Sequence, residues 1–570
     1  MSKLSNTKWL LIGILLVSAF LRLANLSSGD TLSDEIGYGF RSVGMLDFDE
    51  AGDQTTPLEW FDPFIPSWTK LSFHDHPPLV FFVQYVSLQI FGETNFGLRF
   101  PSALFGVASV YLLYLIGSLL YSETVGLIAA GLLGVTANHV AISRLGLQES
   151  YVIFFLLLAS YFFIRALKKD AYLIWTGLAL GLGLLTKYNV GIAIPVFLSY
   201  LVFYKREYFL NKKLWIGGVL AILVFSPVLI YNYKLYKAVG HFDFQLSFIF
   251  KQEHKEWQTE PGKEEFPTVA ERMKNVLPNL SHFNSWLFLA LTGLSLAAFA
   301  ISLKNKPLEK IKRHALLVLT ILWLLALIIG AIGPSLRFLS MLTPFMALAI
   351  GAGMARLCAK SKTPFFNKNL SLIIPTVLIL FEITYSINSQ ITNYPVGPSP
   401  WLWSRTRYEN YNWGYNELGD WLTQLLKNKM PAFAFEPKYQ FIGAVQAAAI
   451  DADRAAGYQP YPLLIVYDRN IQSSAQLWNL DRLQIYHGWP VIPAETYIDF
   501  LQREGADYFQ KAGIKKTYFI IPTDIMPLKR PLKLSIIGTA FEKELISKSL
   551  KPAVIIKNKR GEAAFRVYEF

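Results

Sequence analysis

Stretches of apolar residues about as long as a membrane-crossing helix recur along the first two thirds of this 570-residue chain. In lipid, every backbone polar group has to be satisfied internally, so only helices and closed barrels cross a bilayer. These runs are continuous and not alternating, and about 20 residues make one crossing, which selects helices. The candidate spans are 8–26, 99–120, 124–142, 150–166, 171–186, 188–204, 214–230, 285–303, 314–332, 335–357 and 370–388. They predict a polytopic α-helical membrane protein with about eleven transmembrane helices. Composition agrees: 17% of residues are charged, fewer than a soluble protein of this length carries. The N-terminal run has the basic start and apolar core of a signal peptide. It is followed by Arg22 and lacks a small-x-small cleavage site, so it reads as an uncleaved first span.

One apolar stretch, HDHPPLVFFVQYVSLQIFG at 74–92, decides the topology. If it does not cross, and the N-terminus is inside, Lys3 and Lys8 fall on inner segments. So do Arg165, Lys168 and Lys169; Lys205, Arg206, Lys212 and Lys213; Lys304, Lys306, Lys310, Lys312 and Arg313; and Arg356, Lys360, Lys362 and Lys368. That is the positive-inside pattern. If 77–91 crosses, every later cluster flips to the disfavoured side. Leu79, Phe82, Val83, Val86 and Ile90 fall on one helical stripe, with Gln84 and Ser87 off it. The expectation is an outer juxtamembrane helix lying on the membrane, with Pro77 and Pro78 at its start.

The same charge bias accounts for the formal net charge of +13, and no basic motif interleaves with base-stacking aromatics, so nucleic acid is excluded as a partner. The single cysteine, Cys358, excludes an intrachain disulfide and a CxxC site. Three outer segments are large: 27–98, 231–284 and about 389–570. The last reads as a soluble α/β domain, with helical spacing in YNELGDWLTQLLKNK and AETYIDFLQRE and strands in PLLIVYD, KTYFIIP, PAVIIKN and AAFRVYEF. It holds no GxGxxG, Walker or nucleophile motif. The division expected is a transmembrane catalytic domain over 1–388 and an extracytoplasmic domain over 389–570.

Charged residues collect at the outer ends of the spans. In TLSDEIGYG, Asp34 and Glu35 follow the first span, and a carboxylate there suits removal of a proton from an acceptor hydroxyl. ISRLGLQES places Arg144 and Glu149 at one junction, either as a helix-end pair or with Glu149 as a second acid. Lys187, in LLTKYNVG, is either a phosphate partner or a snorkelling lysine. Arg337, in GPSLRFLSMLTPF, sits at a helix start, where the dipole favours an anion and not a cation, which suggests a bound anion. In HDHPP, His76 could meet a lipid phosphate, and Asp75 with His241 could hold a divalent metal. A transporter or flippase of a lipid-linked substrate is the main rival, but it would place its charges near the midplane and show repeats.

LSDEIGYG, HPPLVFFVQYVSLQIFGETNFGLRFPSALFGVASVYLLY, ISRLGLQES, LLTKYNVG and RFLSMLTPF together resemble the GT-C glycosyltransferases. The branch is the protein O-mannosyltransferase-like group that includes the aminoarabinose transferases of lipid A. The resemblance covers about 8–390 and implies an inverting transfer from a polyprenyl-phosphate sugar to a hydroxyl of a protein, lipid or glycan in the cell membrane. It implies Asp34 as base and Lys187, Arg337, His76 and Arg144 for the donor phosphate. Glu35 and Tyr38 are implied as further substrate contacts, and Glu149 stands where many members carry Asp. No cofactor is required; a divalent ion at Asp75 and His241 would be structural.

Overall fold

The computed structural model describes residues 2–49, 55–252, 266–303, 308–360, 370–404, 411–527 and 536–570. Lys304, Lys306, Lys362 and Lys368 of the charge pattern lie outside them. The chain forms two compact units, one of residues 1–26 with 67–407 and one of 27–66 with 408–570. The boundary therefore differs from the sequence division. Residues 27–66 pack with the C-terminal unit, and the break falls at 407/408 instead of 388/389.

In the first unit, six helices among the described residues are long and apolar enough to cross a membrane: Asn6–Leu23, Asn95–Leu120, Glu149–Ala166, Lys212–Val239, His314–Ile332 and Leu336–Ala355. The stretch expected as one span at 124–142 is instead a pair, Glu123–Val135 and Ala137–Ser143, bent by 61°. Tyr172–Leu184, Tyr188–Tyr204 and Trp286–Ala298 are shorter apolar helices. Leu370–Ser386 has 17 residues and Pro375 inside it. Short helices are tolerated in such a bundle because neighbours complete the packing. Tyr172–Leu184 lies directly on Lys212–Val239, where a Cβ on Gly177 would fall 1.9 Å from the Gly217 carbonyl oxygen and one on Gly181 2.9 Å from the Ala221 carbonyl oxygen. Only glycines spaced four apart let two helix backbones approach this closely.

Leu79–Phe91 has 13 residues. At 1.5 Å per residue it reaches about 20 Å, short of a hydrocarbon core of about 30 Å. Phe82, Val86 and Ile90 of its apolar stripe are exposed. The polar residues off the stripe face inward: Gln84 Nε2 donates to the Gly146 carbonyl (2.7 Å) and Ser87 Oγ to that of Gly97 (2.6 Å).

The second unit is built on a five-stranded mixed sheet. Its strands are β3 (Leu463–Tyr467), β4 (Val491–Pro493), β5 (Lys516–Pro522), β6 (Val554–Lys557) and β7 (Ala563–Glu569), in the order β4-β3-β5-β7-β6. β3 runs parallel to β4 and β5; β7 runs antiparallel to β5 and β6. A separate parallel pair joins β1 (Lys429–Pro431) to β2 (Gln459–Tyr461). β3 is buried throughout, and its residues alternate between two cores. Leu463, Ile465 and Tyr467 pack with Leu418 and Leu422 of helix Tyr415–Leu426. Leu464 and Val466 pack with Tyr497, Phe541 and Leu545 on the other face. A strand covered on both faces reads as one unbroken apolar run, and LLIVY does.

Segment 27–66 joins this unit through one residue above all. Asp30 accepts backbone N–H bonds from Trp413 (2.6 Å), Gly414 (3.0 Å) and Tyr415 (3.3 Å) on Oδ2 and from Asn416 (2.9 Å) on Oδ1. These are the orphan donors at the start of helix Tyr415–Leu426. Asp30 therefore supplies a cap from far away in sequence, and Leu32 adds its side chain to the core beside that helix.

Candidate active site

The first unit gathers three of the predicted residues. Lys187 Nζ donates to Glu149 Oε1 at 2.6 Å, with side-chain exposures of 5% and 1%. Lys187 is thus a buried ion-pair partner and does not snorkel. Arg337 acts electrostatically on the same carboxylate. The Phe338 ring lies under both cations, 5.3 Å from Lys187 Nζ and 5.9 Å from Arg337 Cζ. Two cations thus act on one carboxylate. The local sequence explains the placement. Glu149 opens helix Glu149–Ala166, where the dipole favours an anion. Lys187 lies in the turn after helix Tyr172–Leu184, just before Tyr188–Ile192. Among the described residues, Glu149 Oε2 and both amide atoms of fully buried Gln148 have no hydrogen-bond partner. A buried polar atom left unmatched costs about 1–3 kcal/mol, so this corner is suited to a polar ligand.

Arg144 is placed elsewhere and does not pair with Glu149. Its Nη1 donates to the carbonyls of Leu21 (3.0 Å), Arg22 (3.2 Å) and Ala24 (2.7 Å), and its Nη2 to that of Asn25 (3.0 Å). These carbonyls end the first helix, Ser2–Leu23, and would otherwise lack partners. Both terminal nitrogens of the guanidinium cap the first helix, and the partner of Glu149 is Lys187.

HDHPP forms a second corner. Asp75 Oδ2 meets His76 Nδ1 at 3.0 Å. His241 Nδ1 lies 2.7 Å from the Phe242 carbonyl oxygen. Among the described residues no group of three or more His, Cys, Asp or Glu is arranged to hold a metal ion. Asp75 and His241 thus do not supply the ligand set that a closed metal site needs, and no step is derived through one. This corner is tied to the rest of its unit by residues that sequence reasoning passed over: Asp243, Tyr188 and Asn232. Asp243 had a readable signal, an Asp directly before an apolar turn, which is a helix N-cap pattern. It caps Phe244–Ile249 by accepting the Leu246 N–H at 2.9 Å. Gln148 carried no such signal.

Asp34, Glu35 and Tyr38 belong to the second unit. Asp34 precedes helix Glu35–Gly44 in a helical backbone conformation and makes no side-chain cap. Its side chain is exposed, whereas Glu35 and Tyr38 are buried. The helix is held by Phe40 against Tyr486, with ring centroids 5.1 Å apart, and by the Arg41–Asp49 ion pair at 2.7 Å.

Comparison with known proteins adds a fold. The solved structure of ArnT from Cupriavidus metallidurans bound to undecaprenyl phosphate superimposes with a TM-score of 0.53 at 14% identity, over 99% of this chain and 98% of that one. This is the GT-C glycosyltransferase fold. Residues 75–231 also match the family model described as dolichyl-phosphate-mannose-protein mannosyltransferase. Bacillus subtilis YkcB, assigned as a mannosyltransferase, is 29% identical over 224 residues, 37% of this chain. An undecaprenyl phosphate-aminoarabinose arabinosyl transferase of Pseudomonas savastanoi is 28% identical over 226 residues, 38% of this chain. The matched part spans 29% and 40% of the length of these two relatives. The 75–231 segment contains His76, Glu149 and Lys187.

Proposed function

We propose that this GT-C chain is a glycosyltransferase of the cell membrane that moves a sugar from a polyprenyl-phosphate donor to an acceptor hydroxyl, with inversion. The observation that carries the reading is the buried Glu149–Lys187 pair with Arg337 beside it. Lys187 and Arg337 are the cations that would meet the negative charge of a phosphodiester donor. As the bond from the anomeric carbon to the phosphate oxygen breaks, its electrons move to the phosphate, and fixed cations in a dry site stabilise that charge. Lys187, Arg337 and His76 are assigned to the phosphate, Glu149 to holding Lys187, and Glu35 and Tyr38 to further substrate contact. Asp34 accepts the proton of the acceptor hydroxyl as its oxygen bonds to the anomeric carbon. The leaving polyprenyl phosphate is a stable anion, so the mechanism needs no general acid and no cofactor. Positive-inside charge supports about eleven spans, an inner N-terminus and an outward site.

The test is release of free polyprenyl phosphate by the protein in liposomes, offered a panel of polyprenyl-phosphate sugars and an envelope extract as acceptor. Wild type releases it, and Asp34→Asn, folded to the same degree, does not. Normal turnover by Asp34→Asn removes the base assignment, and no release from any donor refutes the transferase reading.

A further inference from the structure

The buried carboxylate of Asp243 has more partners than a helix cap requires. Oδ1 takes the capping N–H of Leu246. Oδ2 accepts from the Tyr188 hydroxyl at 2.5 Å and from Asn232 Nδ2 at 2.8 Å. The Asp243 N–H donates back to Asn232 Oδ1 at 2.8 Å. Asn232 comes from helix Lys212–Val239, and Tyr188 directly follows Lys187. The next two residues reach the HDHPP loop. Phe244 N–H donates to the His74 carbonyl at 2.7 Å and Gln245 Nε2 to the Asp75 carbonyl at 2.8 Å. A further bond, from Leu79 N–H to the Leu185 carbonyl at 3.0 Å, closes the circuit.

We propose that Asp243 is a positioning residue: with Tyr188 and Asn232 it clamps the Lys187 turn and the His74–His76 loop into one hydrogen-bonded block, setting the donor-phosphate groups in register. The proposal rests on the transferase reading for its kinetic consequence but not for its structural one. A cap alone would use Oδ1. Oδ2 instead spends both its bonds on side chains from two other segments, one of them adjacent to Lys187. The close helix pair at Gly177 and Gly217 brings the chain segments bearing Tyr188 and Asn232 together, so the clamp closes on a rigid frame.

Asp243→Asn separates the two roles. Asn is as good a helix cap as Asp, so the Leu246 bond survives. It cannot accept both Tyr188 and Asn232 on the same atom once that atom is an amide nitrogen. The full-length protein in nanodiscs is compared as wild type, Asp243→Asn and Tyr188→Phe, by hydrogen–deuterium exchange and by donor turnover. Expected for Asp243→Asn are a melting temperature lowered by a few degrees at most, faster exchange confined to 74–79 and 185–190, and a kcat lowered by about ten- to a hundredfold, the scale of a misplacement near 1 Å. Tyr188→Phe, which removes one arm, shows the same pattern more weakly. Unchanged exchange in both segments overturns the clamp whatever the activity. Faster exchange with wild-type kcat overturns the positioning role. If wild type turns over no donor, the transferase reading fails, and exchange alone still decides whether the clamp exists.

Discussion

Replacing Lys187 by Met removes the cation from Glu149 while keeping the bulk of its stem. The pair is 2.6 Å apart and shut off from water. At an effective dielectric constant of about 20, that separation corresponds to an attraction of about 6 kcal/mol before desolvation is subtracted. Desolvation cancels most of it, so the pair itself adds little net stability. Breaking it is different, because the stranded carboxylate stays buried. Glu149 Oε2 already has no partner, so Oε1 would join it. The expected cost is about 3–5 kcal/mol, at the lower end because Arg337 still offsets part of the charge. Glu149→Gln takes the carboxylate from the Lys187 ammonium instead and is also destabilising. The double variant Glu149→Gln/Lys187→Met removes both charges and recovers at least about 2 kcal/mol of the summed single losses. Thermal unfolding in nanodiscs, followed by tryptophan fluorescence, reads these as melting-point shifts of several degrees, largely reversed in the double variant. Additive single shifts, or singles that melt like wild type, would refute the claim that the pair is a sealed, mutually dependent unit. Donor turnover stays lowered in the double variant, because the Lys187 ammonium assigned to the phosphate is gone and Arg337 alone remains.

Three further outcomes follow from the geometry. Asp30→Ala leaves four backbone N–H groups at the start of Tyr415–Leu426 without their acceptor and destabilises the second unit by about 2–3 kcal/mol; faster amide exchange across 413–418 reports it, and unchanged exchange contradicts the cap. Arg144→Gln strips partners from the carbonyls that end the first helix, so it lowers the melting temperature while leaving polyprenyl-phosphate affinity of the folded protein unchanged; a selective loss of affinity would return Arg144 to the donor site. In a Cys358→Ser background, single cysteines at His76 and at Thr94 label from the same side of sealed vesicles, because the basic clusters fall on the inner side only if Leu79–Phe91 does not cross; opposite labelling would invert the topology of everything downstream.

Much of the architecture was legible in the chain because the signals are local. Apolar runs located the helices, and KTYFIIP and AETYIDFLQRE mark β5 and helix Ala494–Glu504 to the residue. A strand buried on both faces or a helix with one wet face writes its period into its own sequence. The bend between Val135 and Ala137 was not legible, since the two helices together read as one run of spanning length. Nor was the membership of 27–66 in the C-terminal unit, which depends on Asp30 meeting N–H groups some 385 residues away.

The candidate site divides the same way. Sequence alone determined which residues are chemically suspicious: a lysine, an arginine and a glutamate at the ends of apolar helices have no cheap reason to be there, because the bilayer penalises charge. Only the tertiary structure decided who pairs with whom. Arg144 and Glu149, five residues apart, looked like partners; one caps the first helix and the other holds Lys187. Asp243 carries a local N-cap pattern in its sequence, but that it joins three segments shows only in the packed chain. Burial sets the cost of leaving a charge or a donor unmatched, and burial belongs to the packed chain. Residue type is read from the sequence; which groups lose water together, and so must satisfy one another, is settled only when distant segments close around them.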